Sequence, residues 1–117
     1  MKNTIVLAFV IGLGSVNAYA GGWSEAAVPS RIDIERGNGV MVYGEFGNAG
    51  ACTILNRFYL KKDHPQYDQA YAAILAAFAG GKKVQVYIHS CEPVTWYANT
   101  ATTFNIVTTS GAINIMN

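Results

Sequence analysis

Apolar positions run almost unbroken from Ile5 to Leu13, behind Lys2 and ahead of Ala18-Tyr19-Ala20. A positive start, an apolar stretch too short to span a bilayer and a small-x-small site together make an export signal. The pattern therefore predicts a leader over residues 1–20 and a single mature domain over residues 21–117. Residues 21–30 are polar and glycine-rich, with Trp23 standing outside any periodicity, and read as a flexible or docking lead-in. From 31 to 35 the chain alternates, Ile32 and Ile34 against Arg31, Asp33 and Glu35. Gly37-Asn38-Gly39 follows as a turn and residues 40–46 resume extended structure, so a β-hairpin is expected.

A second break at residues 47–50 precedes a third expected strand over 52–61, whose parity places Cys52, Ile54, Phe58 and Leu60 on one face. The helical signal comes next. Asp63 stands in capping position, Pro65 in the first turn and Gln66 three residues after Asp63, while Gly80-Gly81 supplies a left-handed stop. Within these limits Tyr67, Tyr71, Ile74 and Phe78 recur at helical spacing and are expected to face the core, flanked by Ala70, Ala73 and Ala77. Residues 83–89 alternate cleanly, with Val84, Val86 and Ile88 on the inner face. Cys91-Glu92-Pro93 interrupts them, residues 94–97 form a short extended piece, residues 102–110 a threonine-rich strand, and residues 112–116 an edge strand. The order predicts an α+β fold: a curved antiparallel sheet, or a small OB-like β-barrel, packed on one helix.

Charge and cysteine content narrow the function classes. With Lys2 removed, seven basic residues face seven acidic ones, so the mature chain lacks the basic excess that nucleic acid or anionic lipid would attract. No second apolar span follows the leader, so no membrane insertion is expected after cleavage. Cys52 and Cys91 are the only cysteines, and in a short exported chain the simplest use of such a pair is one disulfide. Closing that loop should stabilise by roughly 3–4 kcal/mol. A disulfide also removes Cys91 as a nucleophile, and with His89 alone beside it there is no closed zinc site. The chain should act in the periplasm or outside the cell.

No catalytic motif, metal-ligand set or cofactor loop is present. His64 reads as a capping or surface residue. Asp33, Glu35 and Glu45 lie on hairpin strands, where alternating charge marks a wet face more readily than the paired carboxylates of a glycosidase. A binding role is easier to build. Trp96, Tyr97 and Asn99, with the threonines that follow, combine flat aromatic faces with short hydrogen-bonding groups, a mixture suited to a sugar ring. His89 joins them as a candidate ligand-binding residue, although Trp96 as a plug of the core accounts for the same residues.

The layout that runs from Cys52 through the helix of residues 67–78, into Gly80-Gly81 and Val84-Gln85-Val86-Tyr87-Ile88, and on to Trp96 resembles the B subunits of AB5 toxins. The likeness is to the subtilase-cytotoxin and pertussis-like group and covers residues 31–109. It implies an exported OB-fold domain that assembles with copies of itself and binds cell-surface glycans. The stretches HPQYDQAYAAILAAF and CEPVTWY also resemble small secreted proteins of Gram-negative bacteria. Three readings follow: a glycan-directed, non-enzymatic binding module, which forms a homo-oligomer; a small hydrolase using His89 with Glu92 or a hairpin carboxylate; and an accessory subunit whose Trp23 arm and edge strands make protein contacts.

Overall fold

The computed structural model describes residues 21–34, 38–94, 96, 97 and 99–117. The leader expected over residues 1–20 and part of the hairpin turn lie outside them. The described elements are β1 (Gly22–Trp23), β2 (Arg31–Ile34), β3 (Gly39–Tyr43), β4 (Arg57–Lys61), α1 (Tyr67–Gly80), β5 (Lys83–Ile88), β6 (Ser90–Glu92), β7 (Phe104–Val107) and β8 (Ile113–Met116). One helix packs on two sheets, as the α+β reading requires. The sheets order as β1-β5-β8 and β2-β3-β4-β7-β6.

The second sheet is mixed, where an antiparallel one was expected, because β4 and β7 run parallel. A parallel pair needs a long crossover, and here α1, β5 and β6 all lie between the two strands. Neither do the sheets close into a barrel. The chain instead steps from one sheet to the other at His89: β5 pairs with β1 and β8, and β6 pairs with β7. Cys91-Glu92 thus belongs to a strand and does not merely interrupt one. Near its start the chain is tied to β5 by the Ala27–Val84 bridge and by the Ser24 N–H donating to the Val86 carbonyl at 2.8 Å. Within residues 21–30, expected to be a flexible or docking lead-in, Gly22, Trp23, Ser24 and Ala27 pair with β5, while the Glu25 and Ser30 N–H groups donate to the Phe46 and Tyr43 carbonyls.

The core has two compartments, one on each face of the second sheet. Val40, Val42, Phe58, Leu60 and Val107 point toward α1 and meet Val84, Val86 and Ile88 of β5. On the opposite face, Met41, Tyr59, Phe104 and Ile106 pack with Val94 and Trp96 from the segment that follows β6. Both parities of β3 are therefore buried, and all four β7 residues with them. The Cys52–Cys91 disulfide joins the loop before β4 to β6, with Cα atoms 5.5 Å apart.

Three local expectations give way to packing. Strand β4 starts at Arg57, not at 52, because Ala51 and Asn56 adopt left-handed backbone, at φ 57° and 60°. Alternation cannot pass through such residues, and Ile54 accordingly packs on the opposite compartment from Phe58 and Leu60. Helix α1 starts after Gln66, with no side-chain cap from Asp63. Buried His64 organises that turn instead: its Nδ1 accepts the Gln66 N–H at 3.0 Å and its Nε2 donates to the Gly111 carbonyl at 2.9 Å. Those two bonds are met by the tautomer that carries its proton on Nε2. The helix ends as expected, on Gly81 in left-handed conformation. It is rotated, however. Ala70, Ile74 and Ala77 form the buried stripe, Tyr67 and Tyr71 flank it, and Phe78 is left exposed, because alanines allow the helix a closer approach to the core.

Candidate functional site

The four residues expected to share a ligand patch are distributed over different environments. Trp96 is only 6% exposed, its ring edge-on to Tyr59 at 5.4 Å within the outer compartment. The face formed by Met41, Tyr59, Phe104 and Ile106 needs a cover, and Trp96 supplies it. In this packing it offers a sugar no ring face. Asn99 is exposed and turns the chain locally, its Oδ1 accepting the Ala101 N–H at 2.9 Å. His89 is exposed too, and its ring neighbours are Tyr87 and Thr108.

Tyr97, half-buried, stacks on Phe104 at 5.1 Å and reaches a polar cluster that sequence reading left unassembled. That cluster is built by the register of β2, β3 and β4, in which Arg31 pairs with Tyr43 and Tyr43 with Arg57. Three strands thereby bring two guanidiniums to one phenol ring, at 4.6 Å for Arg31 and 4.3 Å for Arg57. The Tyr43 hydroxyl donates to Asp33 Oδ2 at 3.0 Å and accepts from Arg57 Nη1 at 3.3 Å, while Arg31 Nε donates to Asp33 Oδ1 at 2.9 Å. The Arg31 hydrogen bond, aided by that of Tyr43, holds the Asp33 carboxyl below the ordinary carboxylate range despite its partial burial. Burial, together with hydrogen bonding to Tyr97 and Asp33, pushes Tyr43 up to about 12.

Arg57 differs from Arg31. Among the described residues no carboxylate lies within ion-pair distance of it, and its Nε is sealed from solvent without an acceptor. The counter-charge of Arg57 acts at a distance: Asp33 feels Arg57 electrostatically and is joined to it through the Tyr43 hydroxyl, which leaves the guanidinium able to take a further anionic or strongly accepting partner. Tyr43 and Arg57 line an open cleft of about 860 Å³ between residues 25–30 and the ends of β3 and β4. Ser30 and Asn56 add short hydrogen-bonding side chains to its wall, and Glu25 and Glu45 add carboxylates.

The hairpin carboxylates do not form a catalytic pair within the described residues. Asp33 is engaged by Arg31 and Tyr43, Glu45 lines the cleft, and Glu35 lies outside the described residues. Glu92 is bound by Lys61 at 3.5 Å and by the Ser90 hydroxyl at 2.9 Å, so the structure does not join it to His89. Among the described residues no group of three or more His, Cys, Asp or Glu side chains is arranged to hold a metal ion. No helix among them is long and apolar enough to cross a membrane. Position in sequence gives no sign of the Arg57 cluster, since Asp33, Tyr43 and Arg57 are joined only by strand register; of its members, sequence reading marks Tyr97 as a ligand candidate and Asp33 only as a hairpin carboxylate. No family model, curated protein or solved structure matches the chain.

Proposed function

We propose that this chain is an exported, non-enzymatic binding module directed at a glycan, and that the ligand occupies the cleft lined by Tyr43 and Arg57. The observation that carries the reading is the Arg57 guanidinium, held on Tyr43 at the wall of an 860 Å³ cleft with no carboxylate in direct ion-pair contact among the described residues. A sugar carrying a carboxylate would answer that charge. Its hydroxyls would find Ser30, Asn56, Glu25 and Glu45, while Val28 and Leu55 offer apolar surface to a ring face. The disulfide and the leader pattern support export.

Strand order supports the OB-like part of this reading. The succession β2-β3-β4-β7-β6, with a helix between β4 and β5 and a parallel β4–β7 pair, follows the order of a five-stranded, partly open OB barrel. Its outer strands β2 and β6 leave edges suited to pairing between copies. The test is a glycan array probed with the oxidised mature protein and with Arg57→Gln, each first checked for folding and for mass in solution. Selective binding that the variant loses supports the reading. A folded wild-type protein that binds nothing on the array overturns it.

A further inference from the structure

We propose that Trp23, Tyr87 and His89 form a second carbohydrate subsite, which takes the apolar face of a neutral pyranose next to the Arg57 cleft. The inference rests on the glycan-binding reading and extends it to a separate surface. Antiparallel register sets Trp23 directly across from Tyr87, and His89 follows two residues later on the same face of the strand. The three rings form a row, Trp23 to Tyr87 at 5.2 Å and edge-on, Tyr87 to His89 at 4.9 Å. Trp23 is 46% exposed, so the row ends in open indole surface.

This indole is not on a loose tail. Beside it, the Ser24 N–H donates to the Val86 carbonyl at 2.8 Å, the Ser24 hydroxyl accepts the Val86 N–H at 3.0 Å, and the Gln85 side-chain amide donates to the Ser24 carbonyl at 3.1 Å. The platform is thus ordered before any ligand arrives, which removes much of the entropic cost of binding. Nor is it covered from its own strand. The residue preceding β1 is Gly21, at φ 147°, and a Cβ there would lie 2.7 Å from the Ile88 carbonyl oxygen, so no side chain from that position screens His89.

The surroundings favour a sugar over a protein surface. A protein interface core would continue the apolar area, whereas the residues around this row are hydrogen-bonding. Thr108 meets His89 Nδ1 at 3.4 Å, and a recess of about 170 Å³ beside Trp23 is lined by Ser24, Glu25 and Asn48 together with Phe46 and Ala49. A pyranose matches that composition, with one face of C–H groups for the indole and a rim of hydroxyls for the amide, hydroxyl and carboxylate groups. Glu25 lines both this recess and the Arg57 cleft, so the two subsites adjoin and suit consecutive units of one oligosaccharide.

The test uses Trp23 as its own reporter. In a Trp96→Phe variant the indole emission comes from Trp23 alone, and the same titration of the wild-type protein with acrylamide quenching serves if that variant fails to fold. The probes are the methyl β-glycosides of galactose, glucose and N-acetylglucosamine, followed by the oligosaccharide bound best on the array. A saturable emission change with protection from quenching is expected. Trp23→Ala should weaken oligosaccharide binding by about tenfold, and Trp23→Phe should restore part of it. If the array ligand binds through Arg57 while Trp23 emission and the Trp23→Ala affinity stay unchanged, the subsite is refuted and the glycan reading survives. A blank array overturns both. If Trp23→Ala changes the mass in solution and not sugar affinity, the occupant is a second copy of the chain and the subsite is again refuted.

Discussion

Replacing Trp96 with alanine separates two roles that the same residue suggests. With 6% of its surface exposed, packed against Met41, Tyr59, Val94, Phe104 and Ile106, the indole is part of the outer core compartment. A buried tryptophan removes about 150–250 Å² from water, worth about 4–6 kcal/mol at about 25 cal/mol/Å². Truncations of this kind cost about 3–5 kcal/mol in measured cores. Against a net stability of about 5–15 kcal/mol, Trp96→Ala should lower the urea midpoint sharply and the Tm by at least about 10 °C. Trp96→Phe, which keeps a ring beside Tyr59, should cost about 1–2 kcal/mol.

The assay is equilibrium urea unfolding of wild type and both variants under oxidising conditions, followed by circular dichroism. Affinity for whatever glycan the array selects is measured well below each midpoint. Loss of stability with retained affinity fits a residue that only closes the core. Unchanged stability together with lost binding would refute the reasoning, because a fully packed indole cannot be removed without cost.

Two further outcomes follow from the same contacts. Replacing Cys52 and Cys91 by serine, or reducing the protein, releases a loop with a sequence separation of 39 and should cost about 4 kcal/mol; a change under about 1 kcal/mol by urea unfolding with and without dithiothreitol would show the cross-link to be incidental. Tyr43 and Tyr59, both pushed by burial from 10.0 up to about 12, keep their protons in the folded state at pH values where the unfolded chain loses them. Their stabilising contribution is therefore intact below pH 10 and falls as pH rises toward 12; Tyr59→Phe should flatten part of that decline in unfolding midpoint, and an identical alkaline profile would contradict it.

The elements were legible in the sequence wherever local chemistry decides them. Alternation at Val84, Val86 and Ile88 marked β5, and Gly80-Gly81 marked the end of α1. Two expectations failed where tertiary contacts outweigh local preference. Asp63 stands where a capping residue belongs, yet His64 is drawn inward to the Gly111 carbonyl and organises the turn in its place. The aromatic positions of the helix promised a buried stripe, yet the sheets leave room at its centre for Ala70 and Ala77. Sheet topology was less visible, because the β4–β7 pairing joins strands separated by a helix and two further strands. Ala51 and Asn56 also carried no sign that they would interrupt the third strand.

The candidate site was hidden for a related reason, and the two tryptophans show it best. Trp96 sits among residues that look like a sugar site, and Trp23 sits in a segment without periodicity, so composition assigns ligand contact to the first and none to the second. Sheet geometry buries the first and exposes the second. The second sheet buries both of its faces, and the face turned away from α1 must be covered by whatever follows β6, which draws Trp96 inward. Among the described residues the three-stranded sheet has no such cover over Tyr87, so pairing β1 against β5 leaves Trp23 exposed, 64 positions away in sequence from the tyrosine that supports it. Arg57 and Tyr43 follow the same logic, since neither is a motif until β3 and β4 are in register.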